Sequence, residues 1–345
     1  MENDYLIKEK PLKALLLFSL PIILGNLFQQ TYTMADSAIV GRFVGEQALA
    51  AVGASYSLTN IFICVAFGGG IGASVIVSRY FGAGQYRAMK RAVYTAFLSF
   101  LGISILLGAA GLIASQEIMV LLNTPADVLD MAVEYLNIYF LGLPFLFMYN
   151  VLSSMFNALG KSRIPLYFLI FSSLFNIVLD VISVTWLHMG VAGVAWATLI
   201  AQGISAVLSF AVFMRLLRKL NRESSGLFDR TEFVSMTKIA LPSILQQSTV
   251  SIGMMLVQSV VNSFGSQALA GFSAGMRIES ICVVPMSGIG SAISSYTAQN
   301  MGAGSEERVI KGYHAANQMV IFFAVILCAA LLLNHRPLIS VFLRD

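Results

Sequence analysis

Nine long runs without a charged side chain dominate this chain: 14–35, 47–78, 92–116, 135–160, 164–179, 181–214, 239–276, 280–305 and 315–335. A helix needs about 20 apolar residues to cross the hydrocarbon of a bilayer, and most of these runs meet that length. The short run 164–179 is completed across Asp180 to about Leu187. The runs are continuous, whereas the strands of a membrane barrel alternate apolar and polar residues over about ten positions. Composition agrees, with 57% hydrophobic and 11% charged residues and a mean hydropathy of +0.80. Soluble domains carry about 25% charged residues. In hydrocarbon every backbone N–H must be satisfied within its own segment, which leaves helices. The expected class is an all-α polytopic membrane protein with nine spans. The first span is too long for the apolar core of a cleavable leader, and no small-residue cleavage site follows it.

Lysine and arginine set the orientation. With the amino terminus in the cytoplasm, Lys8, Lys10, Lys13, Arg79, Arg87, Lys90, Arg91, Lys161, Arg163, Arg215, Arg218, Lys219, Arg222, Arg230, Lys238, Arg308 and Lys311 fall inside, and only Arg42, Arg336 and Arg344 outside. That is a positive-inside pattern. The net charge of +4 therefore reports topology and gives no indication of nucleic-acid binding.

A block of sequence recurs about 220 residues along. Ser19-Leu20-Pro21 returns as Ala240-Leu241-Pro242, Gln47-Ala48-Leu49-Ala50 as Gln267-Ala268-Leu269-Ala270, and Gly82-Ala83-Gly84 as Gly302-Ala303-Gly304. Six spans separate the copies, so both cross the membrane in the same sense and are related by an axis along its normal. The expected organisation is an amino-terminal six-helix lobe over 1–220, a cytoplasmic linker over 221–237 and a partial carboxyl-terminal lobe of about three helices over 238–345. At this offset Asp345 aligns with Pro125, so the second copy is about three spans short of the first.

An acid inside a membrane span costs about 2.5–3.5 kcal/mol on insertion scales and marks a functional site by default. Asp36 ends the first span, with Gln29 two helical turns earlier on the same face; Asn176 and Asp180 share a face of the fifth. Carboxyls flanked by amides suit a proton or a sodium ion. The alternative is that each acid caps a broken helix or, for Asp36, pairs with Arg42. Pro21 lies inside the first span, where it removes a backbone hydrogen bond and frees the carbonyl of Leu17, so a bend is expected there. Gly68-Gly69-Gly70-Ile71-Gly72 lacks the lysine of a phosphate loop and reads as a close-packing stripe. Cys64, Cys282 and Cys328 lack metal-ligand spacing. No Ser/His/Asp set or HExxH motif is present, which argues against an enzyme.

Several stretches carry a family resemblance: Leu20-Pro21 through Gln29 to Met34-Ala35-Asp36-Ser37-Ala38-Ile39-Val40-Gly41-Arg42, then Gln47-Ala48-Leu49-Ala50-Ala51-Val52-Gly53, Gly82-Ala83-Gly84, and Phe156-Asn157-Ala158-Leu159-Gly160-Lys161-Ser162. Together they resemble the multidrug and toxic compound extrusion (MATE) family, whose members are twelve-helix transporters built from two six-helix lobes. In its prokaryotic branch with an amino-lobe cation site, the resemblance implies ion- or proton-binding by Gln29, Asp36, Asn176, Asp180 and Thr198. Another branch uses a glutamate on the seventh helix, but here that stretch reads Gln246-Gln247-Ser248-Thr249-Val250.

The function so implied is cation-coupled antiport, with the proton as first choice and sodium as second, exporting amphipathic or cationic drugs by alternating access between the lobes. The implied protein is a monomer in the cytoplasmic membrane of a prokaryote. Its partners are small molecules and the bilayer, and it has no cofactor beyond the coupling ion. The alternative is a flippase for lipid-linked oligosaccharide or peptidoglycan precursor from the same superfamily. Its pyrophosphate substrate calls for a cationic cavity, whereas apart from Arg277 these spans hold few bases. A channel is disfavoured, since no ring of charges or filter-like segment is visible.

Overall fold

The computed structural model describes residues 4–220, 226–262, 264 and 266–340. A short helix α1 (Tyr5–Lys8) precedes α2 (Pro11–Ile39), which runs on as a π-helical turn over Val40–Val44. Then come α3 (Glu46–Gly82), α4 (Tyr86–Leu121), α5 (Ala126–Ala158) and α6 (Arg163–Val181), the last continued by a second π-helical turn over Ile182–Trp186. The chain closes with α7 (Gly190–Leu220), α8 (Arg230–Asn262), α9 (Ser266–Gly302) and α10 (Glu306–Ser340). Among the described residues 9 helical segments are long and apolar enough to cross a membrane. The side bearing the start of α2 is termed the near side, and the opposite one the far side.

Local signals account for several boundaries. Pro11 opens α2 at the position where a missing N–H costs nothing. The turns after α3 and α9 are the two copies of Gly-Ala-Gly, and in both the last glycine is left-handed, with φ of 69° at Gly84 and 70° at Gly304. Repeated sequence here gives repeated backbone, down to a conformation that disfavours any side chain.

One boundary escapes the charge pattern. The uncharged run 239–276 passes straight through the break between α8 and α9, so Glu279 lies well inside α9. The stretch assigned to the linker contains the first turns of α8, which begins at Arg230. Residues 221–225, with Arg222, and the terminal residues including Arg344 lie outside the described residues, as do the side chains of Arg277 and Arg336.

The largest apolar cluster joins α3, α4, α5 and α7 through Val77, Phe81, Val93, Met155, Phe156 and Phe213, with the Phe156 and Phe213 rings edge to face at 5.1 Å. A second cluster joins α1, α2, α9 and α10 through Leu6, Phe18, Ile289, Tyr296 and Met319. Lipid tails are as apolar as leucine, so helices in a bilayer associate through close van der Waals contact at small residues. The contacts between the first and second copies follow that rule. A Cβ on Gly82 would lie 1.9 Å from the carbonyl oxygen of Gln299, and one on Gly302 would lie 2.0 Å from that of Arg79. Gly68 abuts Ile244 on α8 while Gly288 abuts Ile23 on α2. These are two pairs of repeat-equivalent contacts, and all four belong to the near half of the molecule.

Candidate functional site: a carboxyl pair between α2, α6 and α7

Toward the far side, α2, α6 and α7 bring four of the five residues from the sequence pattern together. Asp180 is completely buried and Asn176 nearly so. The Asp36 and Asp180 carboxyls lie within hydrogen-bonding range of one another. Asn176 is the hub. With its amide nitrogen toward Asp180 it donates to Asp180 Oδ2 at 3.0 Å and accepts from the Thr198 backbone N–H at 3.0 Å. In the opposite orientation its oxygen faces only acceptors and its nitrogen only donors. The Tyr32 hydroxyl completes the set against the Asn176 amide.

The chemistry follows from the donor inventory. Two ionised carboxylates at this separation repel strongly in a medium of low dielectric, and neither has a positive side chain beside it: among the described residues Asp36 and Asp180 make no ion pair. One oxygen of each, Asp36 Oδ1 and Asp180 Oδ1, is buried without a hydrogen-bond partner among the described residues. A proton on one carboxyl lets it donate to the other; a small hard cation between them would meet only oxygen ligands. The arrangement fits either. No cluster of three or more His, Cys, Asp or Glu occurs among the described residues.

Two features depart from the sequence reading. Asp36 does not end the first helix, because helical structure continues through Ile39 and the π turn to Val44. Gln29 is exposed on α2, and among the described residues no side-chain hydrogen bond joins it to the cluster. Its seven-residue spacing from Asp36 puts both near one face, yet Asp36 turns toward α6 while Gln29 stays outside. Pro21 lies inside α2 and is buried.

Sequence reasoning missed Tyr32, although it precedes Asp36 by four residues, the spacing that stacks side chains along one helix face. It also missed Tyr135 on α5, whose hydroxyl lies close enough to Asp36 and Asp180 to feel both charges. Nothing local to α5 flags it. Beyond Thr198 a cavity of about 20 Å³ is lined by Tyr135, Tyr139, Leu199 and Gln202, room for about one water molecule. Both π-helical turns follow closely on the acids, and π turns cluster at functional sites.

Comparison with known proteins gives the family. The MatE family profile matches residues 21–182 and 242–345, covering most of the chain and both copies of the repeat. The chain belongs to the MatE family. MatE proteins are transporters, not enzymes. A relative from Bacillus subtilis (strain 168), described as "Probable multidrug resistance protein YpnP", is 35% identical over 299 residues, which is 86% of this chain and 67% of the relative. Among solved structures, a MATE protein in complex with MaL6 superposes with a TM-score of 0.92 at 23% identity, over 100% of this chain and 77% of the other. The outward-facing form of a multidrug resistance MATE family transporter of the MOP superfamily gives 0.89 at 24% identity, over 99% and 76%. At these identities the structural matches establish the fold. The all-α, multi-pass reading holds, and this MatE chain is a membrane transporter.

Proposed function

We propose that this MatE chain is a multidrug exporter driven by cation antiport, with the proton as coupling ion. The observation that carries the reading is the Asp36/Asp180 pair: two carboxyls within hydrogen-bonding range, Asp180 buried and Asp36 half-buried, neither in an ion pair among the described residues, with Asn176 held between Asp180, Tyr32 and Thr198. A net charge left at such a site is expensive in a membrane interior, so uptake and release of a cation there is coupled to what else the protein holds. The relative described as a probable multidrug resistance protein supports small amphipathic or cationic cargo. The amino terminus is assigned to the cytoplasm on the lysine and arginine distribution. The cluster then lies in the outer half of the bilayer, reachable by ions from outside.

In this scheme the coupling ion and the drug exclude one another. Protonation of the carboxyl pair rearranges the hydrogen bonds at the far end of α2. Pro21 lies between that end and the start of α2, and it gives α2 a point at which to bend. The cavity between the two halves narrows and cargo leaves.

The test is ethidium accumulation in inverted membrane vesicles bearing this chain, first under an imposed pH gradient and then under an imposed sodium gradient. Accumulation driven by the pH gradient alone, and lost in Asp36→Asn, is the expected result. Accumulation driven only by sodium would replace the proton as coupling ion, and ethidium uptake unaltered by Asp36→Asn would remove the site assignment.

A further inference from the structure

Two arginines on the corresponding helices α4 and α10, one helical turn apart in register, grip the opposite half of the molecule on the near side. Arg91, on α4 of the first copy, pairs through Nε with Asp229 Oδ2 at 3.2 Å and through Nη2 with Glu232 Oε1 at 3.5 Å, both at the start of α8. Glu232 is buried and also accepts from the Tyr80 hydroxyl of α3 at 2.8 Å. The Asp229 backbone N–H donates to Thr95 Oγ1 of α4 at 3.0 Å.

Arg308, on α10 of the second copy, reaches the opposite way. Its Nη2 donates to the Glu9 carbonyl at 2.6 Å and to the Leu6 carbonyl at 3.2 Å, at the carboxyl end of α1 and just ahead of α2. Its Nε donates to Asn300 Oδ1 at 2.9 Å, and Asn300 Nδ2 in turn donates to the Leu6 carbonyl at 3.1 Å. Asn300 stands 220 positions after Tyr80, so the third-party residue in each grip is the same repeat position. Arg308 lies one helical turn before Lys311, the counterpart of Arg91.

We propose that these are two reciprocal clamps that hold the near side shut, one a charge pair and the other a fork on backbone carbonyls, and that both must release before the near side can open. The geometry supports this in three ways. Each clamp crosses from the third helix of one copy to the start of the first helix of the other, so it breaks when the copies separate. The clamps flank the Gly82/Gln299 and Gly302/Arg79 contacts, where helices meet too closely for any side chain. Tyr5 fastens α1 to the first half, donating to the Gly160 carbonyl at 3.0 Å, so Arg308 pulls on an anchored segment.

The clamps differ in what they require of the arginine. The Arg91 clamp needs a positive charge beside two carboxylates, which lysine supplies. The Arg308 clamp needs several N–H groups diverging to three oxygens, which only a guanidinium supplies in that geometry. The inference depends on the transporter reading only for what opening accomplishes; its test is independent of transport.

Spin labels at Gln85→Cys and Glu306→Cys, exposed at the near-side ends of α4 and α10, report the separation by double electron–electron resonance once Cys64, Cys282 and Cys328 are replaced by alanine. A second pair at Gln85→Cys and Lys161→Cys, both in the first half, must keep its distance in every variant used, which certifies the fold. The expected result is one short distance for the otherwise unaltered chain. Arg91→Ala and Arg308→Ala each add a minor longer population, and the double variant makes the longer population the major one. Arg91→Lys stays closed and Arg308→Lys opens as Arg308→Ala does, which tests the idea even if the double variant fails to fold. An unchanged distribution in the folded double variant, or equal behaviour of the two lysine variants, overturns the proposal.

Discussion

Helices α2 and α8 start from the same local sequence and end as different devices. Both carry Leu-Pro in the first half, and both pack against a glycine of the opposite copy, Ile23 against Gly288 and Ile244 against Gly68. Toward the far side they diverge. At the register that aligns Pro21 with Pro242, Tyr32 corresponds to Gly253 and Asp36 to Val257. Where α2 turns its acid toward α6, α8 presents Leu256, Val257 and Val260 outward. The near half of the repeat is retained for packing, which both copies need equally. On the proposed reading the far half of the first copy holds the ion site, and the carboxyl pair has no counterpart on α8, where Val257 stands at the Asp36 register.

The strongest way to break this comparison is to remove the acids. Asp180→Asn and Asp36→Asn are each expected to reduce pH-driven ethidium accumulation to that of vesicles lacking the protein, with unchanged protein in the membrane by immunoblot. Moving the acid to the other copy sharpens the same point: Asp36→Asn combined with Val257→Asp should remain inactive, because Gly253 stands at the register where the first copy has Tyr32. The relocated acid also costs about 2.5–3.5 kcal/mol of insertion free energy.

At the near side the copies should respond alike. Gly82→Val and Gly302→Val each force a side chain into a backbone carbonyl at about the same distance. Each is expected to destabilise by about 1–3 kcal/mol, the usual range for overpacking, with similar drops in the thermal midpoint. A large difference between the two would contradict the symmetry of the interface. Smaller still is Tyr32→Phe, which removes one hydrogen bond from Asn176 and no charge. About 1 kcal/mol corresponds to about fivefold weaker driving-ion affinity, read from the ion dependence of uptake.

The smallest effect is a pH dependence outside the membrane. Asp229 accepts the Thr231 and Glu232 backbone N–H groups at 2.8 and 3.2 Å at the start of α8. The backbone hydrogen bond from Glu232 leads in holding its carboxyl below the usual range, with the Thr231 hydrogen bonds and Arg91 adding to it and partial desolvation opposing. A carboxyl lowered on folding contributes stability above its unfolded pKa of about 3.9 and loses it as pH falls through the folded value. Asp229→Asn should therefore lower the thermal midpoint slightly at pH 7, and the difference should begin to shrink as pH falls below about 4 and vanish once pH is below the folded value.

Much of this was legible in the sequence, and the exceptions have physical reasons. Uncharged length predicts the spans because hydrocarbon leaves a helix few other ways to be built. The break between α8 and α9 escaped because a turn at the membrane surface needs no charged residue, and the run 239–276 has none. The pairing of Asp36 with Asp180 was readable as two acids on two spans, but their meeting depends on how α2 leans on α6, which no local pattern encodes. Gln29 shows the converse: correct spacing along one helix, yet outside the cluster, since helical periodicity fixes a direction and not a neighbour. Tyr32 was available from its four-residue spacing to Asp36. Tyr135, the two π-helical turns and the arginine clamps depend on contacts between distant segments.

The central claim, that cargo and proton compete through one carboxyl pair in the first half, is tested most directly by counting protons. Purified protein in weakly buffered solution is titrated with ethidium while released protons are followed with a pH indicator. The account predicts proton release that saturates with ethidium binding in the unaltered chain and disappears in Asp180→Asn, with ethidium still bound. Undiminished release from Asp180→Asn and Asp36→Asn alike would contradict it and place the coupling elsewhere.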